Sequence, residues 1–251
     1  MEYICELKII SKRFHTISNE TKAIDDISLN VAKGEIVSIV GPSGSGKSTV
    51  LSLLAGLEKP SEGEVVVNTK NIGFMFQKDQ LYEWRNIYKN CILGLEIQHK
   101  ATEENINKVV EKLKNYGLYN FKNYYPSQLS GGMRQRAALV RTLAIEPELL
   151  LLDEPFSALD YQTRLSVGNE VGEILRKEKI STILVTHDIP EAVSISDRVI
   201  VFTERPARIK SEYKIDFDCK GAERTPLNCR NTTEFGRYFR EIWRDLDVAT
   251  K

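Results

Sequence analysis

The sequence lacks an excess of charge of either sign. Its 35 lysine and arginine residues balance 35 aspartate and glutamate residues, so the formal net charge is +0 at pH 7. Proteins that hold nucleic acid through its phosphates need a basic surface, and an overall basic charge is its simplest sign. We therefore expect no nucleic-acid partner.

Long apolar runs are also missing. No stretch reaches the length of about 18 apolar residues from which a membrane-spanning helix is predicted. The chain opens on strand-like residues and not on a basic segment followed by an apolar one, so we expect no signal peptide. Such a chain acts at a membrane only if another chain holds it there.

Cysteine is scarce, with 4 in 251 residues. No two cysteines form a C-x-x-C pair, and their spacings match no zinc site. Cys5 and Cys91 lie in apolar runs, as small core residues do, whereas Cys219 and Cys229 lie in a polar segment. A disulfide between the latter two is not expected in a chain that otherwise looks cytosolic.

Strand-like and helix-like stretches alternate along the chain, which predicts an α/β fold with right-handed crossovers. Apolar runs such as IVSIV and LLLLD are typical of parallel strands covered on both faces. The predicted strands are Tyr3–Ile10, Ile27–Val31, Glu35–Val40, Glu64–Val67, Ile72–Phe76, Leu149–Asp153, Thr182–Thr186 and Arg198–Thr203. The predicted helices are Gly46–Gly56, Thr102–Tyr116, Gly131–Ile145, Tyr161–Lys177, Pro190–Ile195 and Thr233–Leu246.

Strand signals disappear between Trp84 and Ala144, where the sequence is helical and polar. We predict a helical subdomain there, inserted into the α/β core. Residues Glu212–Arg230 are polar and irregular, so we expect a surface crossover before the last helix. The chain is then a single domain with an α/β core (1–83 and 145–210), a helical subdomain (84–144) and a C-terminal extension (211–251).

A complete G-x-x-x-x-G-K-[ST] motif lies between an apolar strand and a helix-like run, the context that a phosphate-binding loop requires. Glycines allow its backbone N–H groups to curl around phosphate oxygens. Lys47 is expected to reach the β- and γ-phosphates, Ser48 to ligate Mg²⁺ and Thr49 to contact the α-phosphate side. The alternative is a chance glycine-rich turn, against which the flanking elements argue. The motif consists of Gly41, Pro42, Ser43, Gly44, Ser45, Gly46, Lys47, Ser48 and Thr49.

A second motif, LLLLDEP, is a buried strand that ends in two acids. Charges at the carboxyl end of a strand lie at the ligand-binding edge of an α/β sheet. Asp153 suits a role in holding Mg²⁺ through water, and Glu154 is placed to orient and deprotonate an attacking water. The alternative is an acidic loop after a core strand, which the phosphate-binding motif disfavours.

A further anion site is indicated by the stretch LSGGMRQR. Ser130, Gly131 and Gly132 open a helix-like run, and helix N-termini attract anions through free N–H groups and the helix dipole. The sequence therefore predicts a second phosphate site in addition to the one at its single phosphate-binding loop.

These motifs, with SALD at Ser157–Asp160 and THD at Thr186–Asp188, occur in the order and spacing of an ABC-transporter ATP-binding subunit. The chain resembles that family over about residues 1–210, with Met133 in place of the usual glutamine of the LSGGQ-like signature. The stretches GGMRQR, HDIPEAVSISDRVIVF and QKDQLYEWRNIYKN look like the nitrate/sulfonate/taurine importer branch.

The resemblance implies a RecA-like P-loop NTPase core with a mostly parallel sheet, an N-terminal antiparallel β region and the inserted helical subdomain. It implies that two subunits form a homodimer on ATP binding, with each ATP between the P-loop of one and the signature of the other. Ser130, Gly131 and Gly132 would then bind the γ-phosphate held by the partner, and Asp160 would cross the dimer interface.

Other positions match family motifs one by one. Gln77 matches the glutamine that senses Mg²⁺ and the lytic water, with a polar strand cap as the alternative. His187 matches the switch histidine that contacts the γ-phosphate and positions Glu154 and the water, with a structural histidine as the alternative. Phe14 aligns with the aromatic residue that stacks on adenine, usually tyrosine. A core phenylalanine is its alternative, because the following stretch Ser18–Lys22 is longer than typical.

The resemblance implies an ATPase that uses MgATP to drive a separate integral-membrane permease from the cytoplasmic face of the membrane, as a peripheral subunit. An importer is favoured over an exporter, because exporter ATPase domains are often fused to their membrane spans. An extracytoplasmic solute-binding protein would deliver a small anion or organic solute. The alternatives are a non-transport ABC ATPase of the DNA-repair or translation type, which carries coiled-coil insertions or tandem units, and a regulatory module without turnover.

The segment after Gln77 contains Leu81, Tyr82 and Trp84 beside charged residues. In the family this region receives the coupling helix of the permease, so we expect these three side chains to form an exposed surface. The alternative is that Trp84 packs inside the helical subdomain.

Overall fold

The computed structural model describes residues 2–15, 19–157, 159–219 and 223–247. Its larger sheet has six strands in the order β5-β6-β7-β3-β8-β9. All neighbouring pairs are parallel except β8 and β9, which are antiparallel. The strands are β3 (Ile36–Val40), β5 (Ile72–Met75), β6 (Leu149–Asp153), β7 (Ser181–Val185), β8 (Arg198–Phe202) and β9 (Ile209–Lys214).

A smaller antiparallel sheet has the order β2-β1-β4, with β1 at Tyr3–His15, β2 at Glu20–Ala32 and β4 at Glu62–Val67. In the second half of β2 buried Ile27, Leu29 and Val31 alternate with exposed neighbours, as in a strand with one face on the core. Asp26 breaks the alternation, since it takes a left-handed backbone conformation (φ 54°) beside a shift in the pairing register. That irregularity explains why the sequence predicted only Ile27–Val31 of β2.

The described helices are α1 (Lys47–Leu54), α2 (Ile87–Ile97), α3 (Glu103–Asn115), α4 (Gly131–Leu143), α5 (Tyr161–Lys177), α6 (Ile189–Ile195), α7 (Pro226–Arg230) and α8 (Thr233–Asp247). Short 3₁₀ turns lie at Tyr119–Phe121 and Pro126–Gln128. Helices α2, α3 and α4 occur between β5 and β6, where the helical segment was predicted. In the part of the chain that is described, no helix is long and apolar enough to cross a membrane.

The larger sheet separates two apolar cores. In β6, Leu149 and Leu151 face the core shared with α1 and the smaller sheet, whereas Leu150 and Leu152 face the core built by α2 to α5. Each fully buried leucine contributes about 1.5–3 kcal/mol through removal of its side chain from water. A third cluster joins Val199 and Val201 of β8 to α6, α7 and α8.

The predicted α/β class, with a mostly parallel sheet and an antiparallel N-terminal β region, is confirmed. The expectation of an irregular segment over Glu212–Arg230 is wrong in part, because β9 extends to Lys214 and α7 occupies Pro226–Arg230. Strand β9 alternates half-buried and exposed residues at the edge of the sheet, so its polar composition hid its regularity. The four cysteines are free thiols.

Candidate nucleotide site

Four parallel strands bring separate stretches of sequence to one edge of the sheet. The phosphate-binding loop follows β3, Gln77 follows β5, Asp153 ends β6 with Glu154 directly after it, and His187 follows β7. Because the carboxyl ends of parallel strands meet at the same edge, these side chains converge although the chain separates them widely.

The loop after β3 can take its shape only with glycine at two positions. Gly44 and Gly46 have φ values of 74° and 107°, which L-residues with a side chain rarely adopt. A Cβ at Gly46 would lie 2.8 Å from the Ala23 carbonyl oxygen, so the close approach also requires glycine. Helix α1 then starts at Lys47 with no side-chain cap, which leaves its first N–H groups for an anion.

Two polar groups in this loop fit a phosphate. Lys47 Nζ donates to the carbonyl oxygens of Gly41 and Pro42, both at 2.8 Å, which holds the ammonium within the loop. Burial lowers the pKa of Lys47, while the negative charges of Glu154 and Asp153 oppose that shift. The buried Ser45 hydroxyl has no hydrogen-bond partner among the described residues. A phosphate oxygen in the loop would satisfy it.

Ser48 and Asp153 supply oxygen ligands for a metal beside that loop. Ser48 Oγ donates to Asp153 Oδ1 at 3.0 Å. Burial raises the pKa of Asp153, the Ser48 hydrogen bond opposes this shift, and the charge of Glu154 adds to it. Mg²⁺ is usually held by one or two carboxylates together with substrate phosphates and water, so this pair fits it without a larger cluster of ligands. A bound Mg²⁺ would neutralise charge on the phosphates.

Glu154 is held in a strained conformation at the centre of the site. Its φ of 46° is unusual for a residue with a side chain, and such strain concentrates at functional sites. Its backbone N–H donates to the Val185 carbonyl at 2.8 Å, and its carbonyl accepts from Ser157 Oγ at 3.0 Å. Gln77 Nε2 donates to Glu154 Oε2 at 2.9 Å, and His187 Nδ1 lies 3.3 Å from the same oxygen. Three predicted catalytic residues therefore meet at one carboxylate.

Gln77 was also predicted to contact the metal. Its side chain lines the same cleft as Ser48 and Glu154, and its amide points to Glu154. A metal contact by Gln77 remains a prediction.

Phe14 lies beside the phosphate-binding loop and not in the core. It is 36% exposed and lines a cleft of about 330 Å³ together with the loop, Gln77, Glu154 and Arg205. Lys12 Nζ lies 4.8 Å from the Phe14 ring centroid. The alternative of a core phenylalanine is therefore wrong, and stacking of Phe14 on an adenine ring remains a prediction. Of the stretch predicted to be long, Ser18 lies outside the described residues.

The residues predicted to form a second anion site lie apart from this cleft. Ser130 caps α4 by accepting from the Met133 N–H at 3.3 Å, and Gly131 and Gly132 form the first turn of that helix. Asp160 caps α5 by accepting from the Thr163 N–H at 3.0 Å. None of the residues predicted for the signature or the dimer interface (Ser130, Gly131, Gly132, Asp160) is among the described residues that line the P-loop cleft.

The exposed surface after Gln77 differs from the prediction in one residue. Tyr82 and Trp84 are 40% and 75% exposed, and their ring centroids lie 4.7 Å apart. Leu81 is only 8% exposed and belongs to the core of α2 to α5, so its assignment to this surface is wrong. Leu81 packs into that core, whereas the three side chains that follow it, Tyr82, Glu83 and Trp84, are all exposed. The alternative of a buried Trp84 is also wrong.

The segment is anchored to helix α4, whose N-terminus carries the signature. Arg134 Nε donates to Asp79 Oδ2 at 3.0 Å, and Arg141 donates to the carbonyl oxygens of Asp79 and Gln80 at 2.7 and 2.6 Å. The buried Asn90 accepts from the Tyr82 N–H at 2.8 Å. The sequence signal for these contacts is the pair of arginines in the helix after LSGG. The sequence does not show which residues these arginines contact.

The loop that carries His187 leads into α6, which contains Glu191, a residue that sequence analysis did not single out. Thr186 Oγ1 donates to Glu191 Oε2 at 3.2 Å and accepts from the Asp188 N–H at 3.0 Å. Burial raises the pKa of Glu191 to about 8. Asp188 caps α6 and is paired with Arg164 at 3.1 Å. An acid three residues after a cap, as in DIPE, is the signal that could have directed attention to Glu191.

Comparison with known proteins agrees with this site. The family model described as ABC transporter matches residues 24–157. The chain is 42% identical to the uncharacterized ABC transporter ATP-binding protein YtlC of Bacillus subtilis, covering 96% of this chain and 95% of that protein. It is 36% identical to the aliphatic sulfonates import ATP-binding protein SsuB of Bacillus licheniformis, over 88% of each chain. It is 38% identical to the nitrate import ATP-binding protein NrtD of a Synechocystis strain, over 88% and 86%.

A solved structure extends the agreement to three dimensions. The dimeric post-hydrolysis ATP-binding cassette MJ0796, bound to ADP and Pi, superposes with a TM-score of 0.76 at 32% identity, covering 85% of this chain and 100% of that one. Sequence, fold and the site at the strand ends therefore agree. The chain belongs to the ABC transporter family, and it is an ATP-binding ATPase subunit that uses Mg²⁺.

Proposed function

We propose that the chain energises the uptake of a small anion or organic solute, of the nitrate or sulfonate kind, through a separate integral-membrane permease. The names of the nitrate and sulfonate import relatives support this direction of transport. We place the subunit on the cytoplasmic face of the membrane, with an extracytoplasmic solute-binding protein as the indirect partner. The observation that carries the proposal is the exposed Tyr82–Trp84 pair in the segment that follows Gln77.

In the proposed reaction the P-loop holds the phosphates of ATP through its backbone N–H groups and Lys47. Ser48 and Asp153 would hold Mg²⁺ between them. The Glu154 carboxylate orients the attacking water and takes its proton, because Gln77 and His187 fix one of its oxygens. Phe14 provides a face for the adenine ring.

Two copies of the chain are needed to complete each site. The N-terminus of α4, with Ser130, Gly131 and Gly132, lies outside the P-loop cleft of its own chain. We infer that it binds the γ-phosphate held by a second copy, as in a head-to-tail homodimer, with Asp160 at the interface. The dimeric state of the superposed cassette supports this arrangement.

The segment after Gln77 links the ATP site to the permease. Loss of the γ-phosphate alters the surroundings of Gln77, and the next residues carry the change to Tyr82 and Trp84. Arg134 and Arg141 hold the same segment to α4, so movement of the signature helix acts on it as well. The division into an α/β core (1–83 and 145–210), a helical subdomain (84–144) and a C-terminal extension (211–251) gives the subdomains that would move.

A non-transport ABC ATPase is less well supported. An aromatic pair of which Trp84 is 75% exposed, with Glu83 between its members, has the composition of an interface core with a polar rim. Proteins that act on DNA or RNA need a basic surface, whereas this chain has no net charge.

The test compares two exposed tryptophans in the tagged full chain, purified from membranes of the native host. Trp84→Ala should lose an integral-membrane permease that wild type retains, while its basal ATPase activity and thermal stability stay unchanged. Trp243→Ala removes the other tryptophan, 55% exposed on α8, and should keep the permease. Capture of a DNA-repair or translation partner, or equal permease recovery with Trp84→Ala, would refute the proposal.

A further inference from the structure

Two arginines of α5 hold the two ends of α6. Arg164 Nη1 donates to Asp188 Oδ2 at 3.1 Å, and Asp188 is the N-cap of α6. Arg176 Nη1 donates to Asp197 Oδ1 at 2.9 Å, and its Nη2 donates to the Ile195 carbonyl oxygen at 2.7 Å. Helix α6 is thus fastened to α5 near both of its ends through arginine side chains.

Arg164 differs from Arg176 in the hydrogen-bond partner of its second terminal nitrogen. Its Nη2 donates to the carbonyl oxygen of Leu159 at 3.1 Å, in the SALD segment. A guanidinium is planar and presents its donors in a fixed fork, so its two partners are held at a defined separation. Arg164 therefore ties the loop that carries His187 to the segment that carries Asp160.

Asp188 and Leu159, the two residues that Arg164 connects, each lie next to a residue with a proposed role in ATP binding or hydrolysis. His187 directly precedes Asp188, and its Nδ1 lies 3.3 Å from Glu154 Oε2. Leu159 packs against the signature helix, since a Cβ built on Gly132 would lie 3.2 Å from Leu159 Cδ2. A continuous set of contacts therefore runs from the helix N-terminus that would bind the partner's phosphate to the histidine of the chain's own ATP site.

We propose that Arg164 is a positioning residue that fixes His187 relative to the SALD segment, so that hydrolysis at the chain's own ATP depends on the state of its signature helix. The inference rests on the functions proposed above for His187 and Ser130. Arg164 is not among the described residues that line the ATP cleft, so it acts through Asp188 and Leu159 and not on the nucleotide.

The first experiment compares Arg164→Gln with Arg176→Gln in the full chain. The two side chains are 25% and 21% exposed, and both have a buried Nε without a partner among the described residues, so the loss of thermal stability should be similar. Because a small misplacement of a reacting group can cost up to about 100-fold in rate, we expect kcat of Arg164→Gln to fall about 10- to 100-fold. KM for ATP should stay within about twofold, since no contact to the nucleotide is removed.

Equal kcat values for Arg164→Gln and Arg176→Gln would overturn the proposal. Arg164→Lys covers the case in which the glutamine variant does not fold. It keeps the charge but lacks the fork that reaches both partners, so it should also lower kcat without raising KM. A wild-type kcat for Arg164→Lys would again overturn the proposal.

A double variant tests whether Arg164 acts through Asp188. Asp188→Asn keeps the oxygen that caps α6 but removes the charge that pairs with Arg164. If the two residues act as a unit, the double variant should be no slower than Arg164→Gln alone, whereas multiplied losses would contradict the proposal.

His187→Ala distinguishes a wrong ATP site from a wrong assignment of Arg164. If it hydrolyses ATP like wild type, the proposed site is wrong; if it is inactive while Arg164→Gln equals Arg176→Gln, only the inference about Arg164 is wrong.

Discussion

Replacement of Glu154 by glutamine tests the proposed base directly. The amide has the shape of the carboxylate and can keep an oxygen toward Gln77, but it cannot take a proton from water. The backbone should tolerate the change, because glutamine meets the same left-handed conformation at φ 46° that glutamate already adopts. The P-loop and its Lys47 contacts are untouched, so ATP should still bind.

The expected loss follows from the role of a general base. Such a group contributes about 10²- to 10⁴-fold in rate. At 1.36 kcal/mol for each tenfold change, this is about 3 to 5 kcal/mol of transition-state stabilisation. We therefore expect kcat for MgATP hydrolysis to fall at least about 100-fold in Glu154→Gln, with ATP affinity nearly unchanged.

The chain offers a matched control at Glu146. Glu146 also has a left-handed backbone, with φ 49°. Its carboxylate, however, forms an ion pair with Lys108 Nζ at 2.9 Å, and neither residue belongs to the ATP site. Glu146→Gln should hydrolyse ATP like wild type in a steady-state phosphate-release assay. A kcat for Glu154→Gln within about twofold of this control would refute Glu154 as the base.

Two further predictions concern stability. Leu81→Ala leaves a cavity in the core of α2 to α5, so it should lower the free energy of unfolding, measured by urea titration, by about 2–5 kcal/mol. The exposed Trp84 is the control, and Trp84→Ala should change that free energy by no more than about 0.5 kcal/mol. Equal losses in the two variants would contradict the burial of Leu81. Glu191 keeps its proton in the folded chain up to about pH 8 but loses it near its ordinary pKa when unfolded, so wild-type stability should fall as the pH rises through that window. Glu191→Gln has no such proton, so its free energy of unfolding should increase relative to that of wild type between pH 5 and pH 8. A difference between the two proteins that stays constant over this pH range would contradict the burial of a neutral Glu191.

The local motifs of the site could be predicted because each depends on short spacing. The P-loop needs glycines at fixed positions between a strand and a helix, and the strands that deliver Glu154 and His187 are apolar runs. Their meeting at one edge follows from parallel pairing alone. The fold class was predictable for the same reason, since alternating strands and helices leave few ways to cover a parallel sheet.

The remaining features depend on contacts between distant residues. The inward turn of Leu81 and the outward turn of Trp84 are set by packing against α2 and α4, which composition does not report. Arg164 reaches Asp188 across 24 positions of sequence, and no local pattern marks that pair. Strand β9 was missed because an edge strand can be polar on its exposed face and still pair regularly.

The shared ATP site is the central claim, and the mass of Glu154→Gln in saturating MgATP tests it most directly. Without hydrolysis the two bound nucleotides should hold two copies together, so light scattering after size exclusion should give about twice the monomer mass of 28.6 kDa. Adding Ser130→Arg to the same variant blocks the anion site at the start of α4 and should return the monomer, with ATP still bound in the P-loop. A monomer for Glu154→Gln itself at saturating ATP, or a dimer that Ser130→Arg leaves intact, would contradict an ATP shared between the P-loop of one chain and the signature helix of the other.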